Sequence, residues 1–115
     1  MRVVFIKRVY APADPSDGKR VLVDRLWPRG LTKERASVDV WMRDIAPSEE
    51  LRKWFGHEPE RWQEFRRRYH GELDRNPDAL ARLREMAEDG PVTLLFGAKD
   101  EEHNQAVALK EYLER

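Results

Sequence analysis

The stretch Val21-Leu22-Val23-Asp24-Arg25-Leu26-Trp27-Pro28-Arg29-Gly30 decides how this chain is read. Three consecutive apolar residues make a strand buried on both faces, because a strand with one wet face would alternate apolar and polar positions. The run breaks at Asp24-Arg25 and enters a turn carrying Pro28 and Gly30. Two other uninterrupted runs, residues 3–6 and 92–96, have the same character. Strands covered on both sides belong to parallel sheets with helices between the strands.

Working outward, the helix signals lie where such a sheet needs them. Ser48 is an N-cap for residues 49–55, with Glu49 and Glu50 in the favourable first turn and Gly56 closing the helix. Glu58-Pro59 opens a second helix, whose apolar stripe is Trp62, Phe65, Tyr69 and Leu73. Asn76-Pro77 opens a third, which turns Leu80, Leu83 and Met86 or Ala87 inward until Gly90. Asp100 is expected to cap the last helix, with His103 and Asn104 in its first turn and Ala106, Leu109 and Leu113 as its stripe. Thr32 can cap a helical turn near residues 31–36, and residues 38–42 alternate as a short edge strand does. Pro12, Pro15 and Asp17-Gly18 make the first connection a long irregular loop, so the first two strands are not a tight hairpin. The expected fold is α/β: a small, mostly parallel sheet of three to four strands with helices on both faces, in a single domain spanning residues 1–115.

Composition narrows the chemistry. The 115 residues are enough for one hydrophobic core. Lys+Arg and Asp+Glu each number 22, so the net charge is zero, which argues against a nucleic-acid-coating protein. Arg66, Arg67 and Arg68 share their helix with Glu60, Glu64, Glu72 and Asp74, which predicts an ion-paired solvent face. The absence of cysteine excludes disulfides, thiolate nucleophiles and cysteine-held metals. His57, His70 and His103 have no metal-ligand spacing, so neither a metal nor a cofactor is expected. No apolar run approaches the ~20 residues of a membrane span. The segment from Met1 to Lys7 is too short in apolar residues for a signal peptide, so a cytoplasmic protein is expected.

If strands 21–24 and 92–96 are parallel neighbours, both deliver polar loops to one edge, where ligands of open α/β sheets bind. The first loop brings Asp24, Arg25, Trp27, Arg29 and Gly30, and the second brings Gly97, Lys99, Asp100, His103 and Asn104. Arg25, Arg29 and Lys99 would attract an anion, perched near the free N–H groups of the last helix. Gly30 or Gly97 would permit close backbone approach. Asp24 would orient an arginine or act as a base, and His103 is the acid/base candidate. The structural alternative is that Asp24 and Arg25 only tie strand ends to their neighbours. Trp27 and Trp41 either wall a pocket or cover the sheet edge, and covering is the favoured expectation.

Three blocks carry a family resemblance: residues 23–30 (VDRLWPRG), residues 41–48 with 51–57 (WMRDIAPS, LRKWFGH), and residues 93–106 (TLLFGAKDEEHNQA). With them the chain resembles the bacterial YeaO-like family, part of a larger group of domains of unknown function, over essentially its whole length. The resemblance implies a small cytoplasmic α/β domain and brings no established reaction. Relatives in the wider group often carry a cysteine in the last strand and a Cys-His-Arg element at the start of the last helix. Here those places hold Phe96-Gly97 and Asn104-Gln105-Ala106, so thiol or metal chemistry does not transfer. The expected function is a small anionic ligand bound at the sheet edge, with or without catalysis. The alternative is a non-catalytic interaction module, monomeric or homodimeric. A nucleic-acid regulator ranks third, since no helix-turn-helix or basic face is present.

Overall fold

The computed structural model describes residues 3–115, so Met1 and Arg2 of the N-terminal segment lie outside the described residues. Four strands form one sheet: β1 (Val4–Arg8), β2 (Lys19–Leu22), β3 (Val40–Trp41) and β4 (Val92–Phe96). Their spatial order is β1-β4-β2-β3, and every pairing is parallel. β2 and β4 are therefore parallel neighbours, with Val21 beside Leu94 and Leu22 beside Leu95. Val23 N donates to Leu95 O at 3.1 Å and carries the pairing one residue past β2. The alternating segment is the edge strand β3, two residues long.

Strand side chains alternate between two layers. Val4, Val21, Val23, Val92, Leu94 and Phe96 face a core completed by helices α2 (Glu49–Phe55), α3 (Trp62–Asp74), α4 (Pro77–Asp89) and α5 (Gln105–Glu114). The expected stripes are buried, including Trp62, Phe65, Tyr69 and Leu73 on α3. The second layer is thinner. Leu22, Leu95 and Val9 pack against Ala36 and partly buried Trp27, Leu31, Val38 and Trp41. Its only α-helix among the described residues is the four-residue α1 (Lys33–Ala36), capped by Thr32. The expectation of helices on both faces is thus met by four helices on one side and a single turn on the other. The loops there supply two tryptophans in place of a helix stripe. Their rings meet edge to face at 5.3 Å and pack against this side of the sheet, and Trp27 also borders the opening at the strand ends.

One sequence assignment needs correction. Asp100 does not cap the last helix: α5 begins at Gln105, and Asn104 is its N-cap, with the side chain accepting from Val107 N at 3.0 Å. His103 and Asn104 accordingly precede the helix and are not in its first turn. Asp100 instead closes a local turn, accepting from Glu102 N and His103 N, which engages its side chain five residues before the helix starts. Trp54 is partly buried and packs against the main core. It lies on the surface of α2 with the Arg68 guanidinium 4.4 Å and the Arg61 guanidinium 5.5 Å from its ring centre. The arginine-bearing face of α3 is ion-paired as expected, with Arg67 and Arg68 on Glu64 and Arg66 on Glu111.

Candidate functional site

The carboxyl ends of β2 and β4 open into a cleft of about 420 Å³. Its apolar walls come from Leu26, Trp27 and Pro28 on one loop, Pro47 and Phe55 at the two ends of α2, and Phe65 on α3. Its polar groups are Tyr10, Asp24, Arg29, Arg52, His57 and Gln105. A second hollow, between α2 and α3, is larger at about 520 Å³; there Arg67 and Arg68 pair with Glu64, and Glu72 holds Ser48.

Asp24 forms the floor of the cleft. It follows β2, and its Oδ2 accepts from Gly97 N at 2.8 Å, across from the end of β4. Its Oδ1 accepts from the Gln105 amide at the first position of α5. Gly97 is needed for this approach, since a Cβ there would lie 3.0 Å from Asp24 Oδ2. Burial pushes the Asp24 carboxyl up to about 6, against the opposing pull of the bonds from Gly97 and Gln105. Among the described residues no ion pair reaches it.

Arg52 has the complementary deficit. It lies on α2 beside the buried Leu51 and Phe55, and among the described residues its Nε is the one buried side-chain polar atom with no hydrogen-bond partner. The outer end of its guanidinium only brushes Glu49, 3.4 Å away. His57 stands beyond Gly56, both with left-handed backbone, which turns the chain sharply at the cleft rim. The loop over the cleft is tied down by Tyr10 Oη donating to Arg29 O at 2.9 Å and by Trp27 Nε1 donating to Leu31 O at 2.7 Å.

The residues expected at this edge are therefore divided. Asp24, Trp27 and Arg29 line the cleft together with Gly97. Arg25 turns away and donates to Pro47 O at 3.0 Å. Gly30 supplies a left-handed turn, φ 82°, that brings the loop back towards α1. Lys99 is exposed. Asp100 and His103 pair with each other, Oδ2 to Nδ1 at 2.9 Å, and the His103 ring meets the edge of Trp62 at 5.4 Å. That pair and the N-cap Asn104 stand outside the cleft lining. Arg52, His57, Tyr10 and Gln105 were not anticipated. For Arg52 a signal existed: it flanks the Leu51–Phe55 stripe on a helix whose end must approach the sheet edge.

Fold and cleft together define a small parallel α/β protein with a pocket at the strand ends and a buried carboxylate as its floor. The comparisons narrow this class. A family model described as the inactive DUF488-N3 subclade matches residues 3–115, and the chain belongs to this family, which includes the YeaO-like proteins. The uncharacterized protein YeaO of Escherichia coli K12 is 46% identical over 107 residues, covering 93% of each chain. The uncharacterized protein Rv3073c of Mycobacterium tuberculosis H37Rv is 44% identical over 110 residues, covering 96% of this chain and 92% of that one, and the Mycobacterium bovis protein Mb3100c gives the same figures. No solved structure gives a significant match. Among the described residues no helix is long and apolar enough to cross a membrane, and no group of three or more His, Asp or Glu could hold a metal ion.

Proposed function

We propose that the chain is a small-molecule-binding protein whose cleft takes a compact anionic ligand without transforming it. The observation that carries this reading is Arg52, which lines the cleft with a guanidinium whose Nε has no acceptor and whose outer end has only a 3.4 Å contact with Glu49. A buried N–H of a cation without a partner is costly, roughly 1–3 kcal/mol or more, and the remaining guanidinium donors are free to take a ligand carboxylate or phosphate. Arg29 and His57 border the same space. The ligand's anion belongs at this arginine side and not at the start of α5, because Asp24 already occupies the floor there and would repel it. The non-catalytic part of the reading is supported by the description of the matched family as inactive and by the lack of cysteine in this chain.

The test is an amide-shift titration with 3-phenylpropionate, a carboxylate with a flat apolar body suited to walls of Trp27, Phe55 and Phe65. Saturable shifts should appear around residues 24–29, 52–57 and 97. Arg52→Gln should weaken binding about 10- to 100-fold while the protein stays folded. No binding by the wild type, or equal affinity in a folded Arg52→Gln protein, would refute the reading.

A further inference from the structure

The cleft contains two deficits of opposite sign. Asp24 is a largely buried carboxylate that receives two neutral N–H donors, from the Gly97 backbone and the Gln105 amide, and no cation among the described residues. Arg52 lines the same cleft with a guanidinium that has an unpartnered Nε and only a 3.4 Å contact with Glu49 at its outer end. A protein that wanted only to neutralise these groups could pair them with each other, yet no ion pair joins them. Each is held by its own element, Asp24 at the end of β2 and Arg52 on α2. Between them the walls are apolar and aromatic, with Trp27, Phe55 and Phe65.

An anion alone would satisfy Arg52 and leave Asp24 facing a like charge. A cation alone would do the reverse. One molecule bearing both an ammonium and a carboxylate answers both groups at once, and a flat or branched hydrocarbon frame fills the space between. We infer that the ligand of this cleft is a zwitterionic amino acid or amino-carboxylate with an apolar body, its ammonium directed to Asp24 and its carboxylate to Arg52. This rests on the anion-binding reading above and refines it.

Two matched probe sets test the inference by calorimetry near neutral pH: L-phenylalanine with 3-phenylpropionate and phenethylamine, and 4-(aminomethyl)benzoate with 4-methylbenzoate and 4-methylbenzylamine. The first set places the two charges close together and the second holds them apart, so either spacing across the cleft is covered. In at least one set the zwitterion should bind about tenfold or more tighter than both single-charge partners. Asp24→Asn should remove that advantage, with the carboxylate-only probe binding as well as before or better once the like charge is gone. This substitution is chosen because an asparagine oxygen can still accept from Gly97 N, and Gln105 can turn its own oxygen to the new amide, so the floor stays bonded. If the carboxylate-only probes bind as well as the zwitterions in both sets, the zwitterion inference falls and the anion reading stands. If no probe binds, or if only the amines bind, both fall.

Discussion

Asp24 shows why residue type alone did not settle its role. Its position after an apolar run marked it as a candidate, but its partners Gly97 and Gln105 are 73 and 81 residues further along the chain and no local pattern points to them. The carboxylate, expected to orient an arginine or act as a base, is met by these two neutral donors, and burial makes its charge costly despite them. The sign of the pH effect follows. Its carboxyl sits at about 6 in the folded protein against an ordinary value of 3.8, so between these limits the folded state holds a proton that the unfolded chain has lost. Stability from this group is complete below 3.8 and declines as pH rises through about 6, by roughly 3 kcal/mol in all. Asp24→Asn removes the titration. The stability of the wild type relative to Asp24→Asn, read by urea unfolding, should therefore fall between about pH 4 and pH 7. Parallel stability curves for the two proteins would show that solvent reaches the carboxylate freely.

At the scale of elements, start signals were the most legible part of the sequence. Ser48, Thr32 and the two prolines at the starts of their helical segments, Pro59 and Pro77, all act where their local chemistry places them. The failure at residues 100–104 has a local cause: Asp100 and Asn104 are both good caps, four residues apart, and propensity cannot rank them. Tertiary packing does, because α5 must present Ala106, Leu109 and Leu113 to the core. The sequence also could not show that a cap may serve a second helix. Ser48 Oγ accepts from Leu51 N at 3.1 Å and donates to Glu72 of α3 at 2.6 Å, while Ser48 N donates to the other oxygen of Glu72. The start of α2, which carries Arg52 and Phe55 to the cleft, is thus clamped to α3. Ser48→Ala should cost about 1–2 kcal/mol in chemical unfolding, and Ser48→Thr should restore most of it. A Ser48→Ala protein as stable as the wild type would mean that water replaces the hydroxyl at both helices without loss.

At the scale of the molecule, three strands could be recognised from their apolar runs, but their order could not, since runs of the same character suit several arrangements. The makeup of the second layer was hidden for a related reason: residues 9–41 contain no helical periodicity, and a cover built from separate tryptophans and loops leaves no period to read. The same blind spot hid a buried polar cluster at the opposite end of the sheet from the cleft. The loop before β2 reads as solvent-exposed, yet Asp17 and Arg20 are each only 5% exposed. Asp17 binds Lys7 of β1 at 2.7 Å and Arg20 of β2 at 2.5 Å, and its carbonyl accepts from Thr93 of β4. Arg20 continues to the carbonyls of Ala36 and Ser37 at the end of α1. One cluster thereby joins three strands to α1 on the thin face. Gly18 sits within it because a Cβ there would lie 2.2 Å from Pro91 O. Burial alone would raise the Asp17 carboxyl, but the bonds from Lys7, the Asp14 backbone and Arg20 outweigh it and hold it below the ordinary value. Its contribution is therefore present above about pH 4 and lost below, opposite in sense to Asp24. Removing one member leaves the others buried and unpaired, so Asp17→Asn should cost about 3–5 kcal/mol at neutral pH. Arg20→Gln should cost a similar amount, and the double variant should cost well under the sum. Because the cluster is remote from the cleft, affinity for 3-phenylpropionate in the folded fraction should not change. If Asp17→Asn costs less than about 1 kcal/mol, or if the two losses add, the thin face is held by its tryptophan pair and not by this cluster.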